Sequence, residues 1–306
     1  TAAFEEIATA DGLYAKTLNG DAYSAEMKEQ TIETIKKDLG QVDMVIYSIA
    51  APRRTAPDGV TYKSVLKTTG ESYTNRTIDL RNNQLMEATI EPATDEEIRN
   101  TIKVMGGEDW ILWIKALKEA GVLADGAKTV AYSYIGPELT YPIYKEGSIG
   151  QAKKDLYASA DKIQAEIDGV EAYVSVNKAV VTQSSAAIPI VPLYLAILFK
   201  VMKEQKVQEG CIEQMYRMIH DRLCNGGAVV TDENRLIRMD DWEMEPKVQE
   251  AVAEIWQKID QDNLEEVTDL EGYWQEFYEI FGFRIDGVDY GADVDADVQI
   301  PSIAAE

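Results

Sequence analysis

The 306-residue chain holds one histidine and two cysteines. That scarcity excludes a structural zinc site built from cysteine and histidine, and His220, set among Met218, Asp221 and Arg222, is not expected to do chemistry. Cys211 and Cys224 fall on or at the end of one expected helix, about 20 Å apart along its axis, too far for a disulfide. They read as reduced thiols, which suits a cytoplasmic protein. Long apolar runs are missing too. The longest, Ala186 to Phe199, carries Pro189 and Pro192 near its start and is expected as a buried helix rather than a membrane span. The opening text, TAAFEEIATADG, has neither the basic nor the apolar region of a secretory signal.

Positive charge is in short supply. Thirty lysines and arginines face 54 aspartates and glutamates, a net charge of -24 with a pI near 4.4. Such a surface repels a phosphate backbone or an anionic membrane, so neither is expected as a partner. An anionic small ligand would need a local basic patch. Arg53, Arg54, Lys63 and Lys67 are the densest such region in the first half, and a solvated hairpin explains the same residues equally well. Also absent is a GxGxxG turn between an early strand and a helix, the usual pyrophosphate cradle. Otherwise, 45% hydrophobic and 27% charged residues describe an ordinary globular chain, long enough to bury a sizeable core.

What is present centres on Tyr132 to Lys154, YSYIGPELTYPIYKEGSIGQAKK, which joins an apolar strand-like lead-in to a long amphipathic pattern. In an open α/β sheet, that edge is where ligands bind. Tyr144 and Lys153 stand nine residues apart. One continuous helix would point them in opposite directions, so they converge only if Tyr144 lies off the helix. Gly147 and Gly150 between them would let the backbone turn. An ammonium beside a phenol favours the phenolate, lowers its pKa and improves the hydroxyl as a donor to a developing oxyanion.

A Tyr, eight residues and a Lys is also the spacing by which this stretch resembles the trans-2-enoyl-CoA reductases and their FabV-type enoyl-ACP reductase relatives. The resemblance runs through VIYSIAAPRRT (Val45 to Thr55), VMGGEDW (Val104 to Trp110), VNKAVVTQSSAAIPIVPLY (Val176 to Tyr194), EGCIEQ (Glu209 to Gln214) and DDWEMEPKVQ (Asp240 to Gln249). It implies an α/β chain with a Rossmann-like, doubly wound parallel sheet of the short-chain dehydrogenase type. One such domain would span 1–306, with a hairpin lid at 53–92 and an acidic, partly disordered tail at 286–306. The implied activity is NADH-dependent reduction of a trans-2-enoyl thioester. The thioester would be one of CoA, with an acyl carrier protein as the alternative; NADPH is not excluded, and a monomer or weak dimer is expected.

The same resemblance implies roles for single residues. Tyr144 and Lys153 would be catalytic, and Tyr134 would contact substrate. Asp21 and Ala22 would border the adenine, Ile49 and Ala50 the ribose region, and Val180, Val181 and Thr182 the nicotinamide half, with Lys153 on its ribose. A lone Asp after a strand is more often a helix cap, and Thr182, Ser184 and Ser185 could equally cap the next helix. The first βαβ repeats and the glycine-rich loop are expected to stand before Thr1 in the family, which makes this an N-terminally shortened chain. An inert scaffold without its cofactor loop is a rival reading.

Periodicity supplies the remaining elements. A strand is expected at Gly12 to Leu18, a helix at Ala25 to Leu39 and a doubly buried strand at Val42 to Ile49. Further helices are expected from Thr94 to Met105, Glu108 to Ala120, Ile149 to Ile167, Glu209 to Leu223 and Pro246 to Gln257. Another strand falls at Ala172 to Val176, and an aromatic core stripe at Gly272 to Phe283.

Overall fold

Four strands carry the fold in this computed structural model, which describes residues 1–295 and 297–304. They are β1 (Val42–Tyr47), β6 (Leu123–Ser133), β7 (Val170–Val176) and β8 (Leu236–Arg238), all parallel, in the spatial order β1-β6-β7-β8. Two antiparallel hairpins stand apart from this sheet: β2 (Arg53–Thr55) with β3 (Thr61–Lys63), and β4 (Tyr73–Asp79) with β5 (Gln84–Ile90). Both fall inside the stretch read as a hairpin excursion. Its Pro57-Asp58-Gly59 turn closes with Gly59 at φ +80°.

Parallel strands need crossovers, and helices supply them. After α1 (Ala2–Ala10), α2 (Ala25–Asp38) begins at Ser24, whose hydroxyl accepts the Met27 N–H, and ends before Gly40 at φ +78°. The helix α3 (Asp95–Met105) carries a full capping box between Thr94 and Glu97, and α4 (Glu108–Glu119) follows at once. The helix α5 (Ser148–Glu166) links β6 to β7. Side chains alternate across the sheet. Ala131, Val174 and Val176 face a core with Trp110, Ile114, Leu156 and Ile163 from α4 and α5, while Val130 and Tyr173 face Met218, Leu223, Ile237 and Met239.

The apolar run becomes a short α6 (Gln183–Ala186) and then α7 (Val191–Glu204), buried nearly all round. α7 packs against the β4–β5 hairpin, α9 (Pro246–Lys258) and α11 (Leu270–Glu279), with α10 (Leu264–Val267) between the last two. Ile190 sits at φ +77°, rare for a β-branched residue, and its N–H donates to Thr77 Oγ1 at 2.9 Å. No described helix is long and apolar enough to cross a membrane.

Several expectations are corrected. Gly12 to Leu18 pairs with no strand; the Thr17 N–H donates to Glu5 and Ser302 side chains instead, so the expected βαβ unit lacks its first strand. β1 is not buried on both faces: it has one described neighbour, β6, and Ile46 is 37% exposed. The helix from Glu209 stops as an α-helix at α8 (Cys211–Arg217) and continues as a π-turn, Met218–Leu223. That wider turn brings Met218 and Leu223, five residues apart, into the same core. Cys211 and Cys224 are free and exposed. The tail from Asp286 runs exposed and returns as α12 (Pro301–Ala304), where Ser302 Oγ donates to Glu5 at 2.5 Å; residues 296, 305 and 306 of that tail lie outside the described residues.

Candidate active site

Where three adjacent parallel strands end, their outgoing chains converge. Tyr134 follows β6, Asn177 to Thr182 follow β7, and Asp240 to Glu243 follow β8. Ile49 and Ala50 follow β1 on the far side of β6. Carboxyl ends of such strands frame the crevice of an open α/β sheet.

Tyr144 lies off the helix, in a tight turn whose N–H donates to the Thr140 carbonyl at 3.0 Å, and α5 starts four residues later. The two glycines matter here through close approach rather than unusual φ. A Cβ on Gly147 would sit 2.1 Å from the Ile143 carbonyl oxygen, and one on Gly150 would sit 2.3 Å from that of Tyr144. Glycine at both positions lets the turn lie against the first turn of α5.

The rings of Tyr144 and Tyr134 meet with centroids 4.8 Å apart. Tyr144 is half-buried and its hydroxyl has no hydrogen-bond partner among the described residues. Burial, and then the negative charge of Glu243, hold its pKa well above the ordinary phenol value. The expected lowering of that pKa by Lys153 is not seen in this geometry: the shift runs upward, and Lys153 is not among its causes.

Lys153 reaches back from α5 to the end of β6, where Nζ donates to the Tyr132 carbonyl at 2.8 Å. No described carboxylate pairs with it, and burial lowers its pKa to about 8. It is a cation with spare donors beside the crevice.

Two residues that sequence reasoning missed complete the cluster. Glu243, fully buried, accepts from Tyr134 Oη at 3.0 Å, Tyr194 Oη at 2.7 Å and the Ala179 N–H at 2.7 Å. Lys178, 1% exposed, donates to the Ala179 carbonyl at 2.8 Å. The only available signal was position, a carboxylate and a lysine just past strand ends.

The remaining expected residues are placed as follows. Val181 is buried in the α7 core, Val180 is half-buried, and Thr182 is exposed and caps α6 by accepting the Ser185 N–H at 2.9 Å. Asp21 accepts the Tyr23 N–H at 3.0 Å and the Ala22 carbonyl accepts Trp113 Nε1 at 3.0 Å and Lys28 Nζ at 3.4 Å, so their contacts run within the turn and to α4 and α2, not to Tyr134 or Tyr144. The basic patch divides. Arg54 is buried on Glu108 and the Lys103 carbonyl, and Lys67 pairs with Glu97 at 2.7 Å. Arg53 and Lys63 stay exposed, directly opposite across the β2–β3 hairpin. His220 is exposed, bonded to Asp221 and stacked on Tyr216, away from the crevice residues.

The crevice residues fit the nicotinamide and ribose end of a dinucleotide. Lys153 offers donors not held by any described carboxylate, and half-buried Val180 and exposed Thr182 follow the end of the neighbouring strand β7. Among the described residues no group of three or more His, Cys, Asp or Glu could hold a metal ion.

Comparison with known proteins bears on this arrangement. A family profile described as the trans-2-enoyl-CoA reductase catalytic region matches residues 1–224, and one described as the enoyl reductase FAD binding domain matches 231–294. The NADH trans-2-enoyl-CoA reductase of Ruminiclostridium cellulolyticum is 55% identical over 306 residues, covering 99% of this chain and 77% of that protein. The NADH enoyl-[acyl-carrier-protein] reductase of Psychromonas ingrahamii is 54% identical, with the same 99% and 77% coverage. The crystal structure of Treponema denticola trans-2-enoyl-CoA reductase in complex with NAD superposes with a TM-score of 0.93 at 49% identity, covering 96% of this chain and 74% of that one.

The segment under the flavin-named profile does not fit a flavin dinucleotide. Its apolar residues Val248, Val252, Trp256, Leu270 and Tyr273 are buried in the α7 core. One cavity that the segment lines, about 280 Å³, bears Glu254, Glu266 and Lys258, and another, about 480 Å³, bears Glu138, so neither gathers the positive charge a pyrophosphate needs.

Proposed function

The chain belongs to the trans-2-enoyl-CoA reductase family, and from that premise we propose that it reduces trans-2-enoyl-CoA to acyl-CoA with NADH, Tyr144 stabilising the enolate. When bound, NADH supplies the hydride that saturates C3. The charge this places on the thioester oxygen needs a donor aimed at it. The observation that carries the reading is the Tyr144 hydroxyl, half-buried and without a hydrogen-bond partner among the described residues, beside the strand ends. It donates to the thioester oxygen as charge grows and protonates the enolate, directly or through water. Tyr134 walls the substrate side through its ring contact. Lys153 holds ribose hydroxyls, and Val180, Val181 and Thr182 border the nicotinamide. Asp21, Ala22, Ile49 and Ala50 are assigned to the adenine and ribose regions by resemblance alone.

The same proposal takes the sheet as a doubly wound one of the short-chain dehydrogenase type, supported by cores on both of its faces. It also takes the β2–β3 and β4–β5 hairpins as the substrate lid, and the working unit as a cytoplasmic monomer or weak dimer. A second reading, reduction of enoyl groups on an acyl carrier protein, is favoured by the likeness to the 54% identical enoyl-[acyl-carrier-protein] reductase of Psychromonas ingrahamii. The test is the initial rate of NADH oxidation with trans-2-butenoyl-CoA against a butanoyl-CoA blank, followed by kcat/KM for the CoA and carrier-protein thioesters. A substrate-dependent rate is expected; none at all overturns the assignment.

A further inference from the structure

We infer that Glu243 is a positioning residue that holds the substrate-side Tyr134 and the cofactor-side loop 177–182 in one fixed relation, with buried Lys178 as its counter-charge. The inference rests on the roles proposed above for Tyr134, Tyr144 and that loop.

Three adjacent strands end at this joint. Glu243, past the end of β8, reaches across the end of β7 to Tyr134, past the end of β6. Its Oε1 accepts from Tyr134 and Tyr194 at 3.0 and 2.7 Å, while Oε2 accepts the Ala179 N–H at 2.7 Å. The side chain is 0% exposed, so no reacting atom can touch it and a direct acid or base role is excluded. Lys178 Nζ grips the other side of the same residue, donating to the Ala179 carbonyl at 2.8 Å. One residue of the loop is thus clamped at N–H and C=O by buried groups of opposite charge.

Burial pushes the Glu243 carboxyl up and the Lys178 ammonium down, and each opposes the other's shift. Desolvating two charges for stability alone is poor design, since apolar side chains of similar size do as well. Fixed geometry is what the clamp gains. If Tyr134 swings, its edge-to-face contact with Tyr144 is lost; if Ala179 moves, so do Val180 to Thr182.

The test uses E243Q in the full chain. Its amide keeps an oxygen for the tyrosines but turns a donor toward the Ala179 N–H. Hydrogen exchange of the 177–182 amides is expected to quicken about tenfold or more while β7 stays protected. In kinetics, E243Q and Y134F should each lower kcat about tenfold, and the double variant should fall no more than about threefold below the worse single, because both act through one tyrosine. Wild-type exchange with wild-type kcat in E243Q overturns the inference, as do losses that multiply in the double. Where E243Q does not fold, E243D carries the charge one methylene short and is expected to show the same pattern; wild-type behaviour there overturns it equally. An unmodified chain without thioester-dependent NADH oxidation, or an undiminished Y144F, defeats the parent reading instead, and the exchange measurement still decides whether Glu243 holds the loop.

Discussion

Tyr134 and Tyr144 meet edge to face, their ring planes 86° apart, yet only Tyr134 has a partner for its hydroxyl. The pair divides into a held member and a free one. Tyr134 donates to a buried carboxylate, so its hydroxyl is not available to substrate without breaking that bond. Tyr144 keeps an unengaged phenol, which is the group a developing oxyanion requires. Y144F should therefore lower kcat by about 10² to 10³ while the Kd for NADH stays within about threefold. Stopped-flow turnover and fluorescence titration of NADH separate the two effects; a variant with more than half the wild-type rate would sink the assignment.

Lys153 sets the alkaline limit. Burial lowers its pKa from the ordinary lysine value of 10.5 to about 8. As pH rises through about 8 the folded protein loses the ammonium and with it the donors proposed for the ribose. NADH affinity should weaken by about tenfold between pH 7 and pH 9, and K153M should bind weakly with no such dependence. Stability moves the other way. Between about pH 8 and 10.5 the unfolded chain binds more protons at this site than the folded one, so the site's contribution to stability rises with pH across that window and is lost again as pH falls toward 8. Thermal melts of wild type and K153M across pH 7 to 10 check the sign: the difference should drift in favour of the wild type as pH rises.

Gly150 couples the turn to the helix. An alanine methyl there would lie 2.2 Å from the Lys145 carbonyl oxygen and 2.3 Å from that of Tyr144. Both are backbone atoms, so the clash can be relieved only by moving the segment that carries Tyr144. G150A should cost about 1–3 kcal/mol of stability by urea unfolding and lower kcat by about tenfold. An active G150A with a shifted melting point would show that the turn can move without moving the phenol.

The order of the helices, the hairpins and the Tyr144 turn were legible because each has a local cause. Ser24 and Thr94 cap, Gly59 turns, and nine residues with two glycines break the helix between Tyr144 and Lys153. What failed was non-local. Gly12 to Leu18 has strand-like text, but whether a strand forms depends on a neighbour, and the Thr17 N–H donates to side chains of Glu5 and Ser302 instead. The direction of the shift on the Tyr144 pKa was not legible for the same reason. Lys153 is close in sequence, whereas the carboxylate that acts on the phenol arrives 99 residues later, from the end of β8.

Asp109 fastens β1 to the helix layer, and its loss should be felt at both levels. Its carboxylate, 1% exposed, accepts from Lys28 Nζ at 2.9 Å and Tyr47 Oη at 3.1 Å, with Arg54 Nη2 at 3.9 Å. Arg54 has its own carboxylate, Glu108, at 2.8 Å from Nη1, whereas Asp109 is the close counter-ion of buried Lys28. Removing it leaves the Lys28 ammonium uncompensated and Tyr47 Oη without its acceptor. D109A should cost about 3–5 kcal/mol, D109N less, because an amide oxygen still accepts from Tyr47. Adding K28M to D109A should recover part of the loss, though not all, since Tyr47 Oη still lacks its acceptor. Tyr47 closes β1 two residues before Ile49, so the same substitution loosens the strand end assigned to the ribose region. Urea unfolding of the three variants measures the first effect and NADH titration below the melting range the second. A D109A protein that melts like wild type would show that water reaches the cluster and screens it.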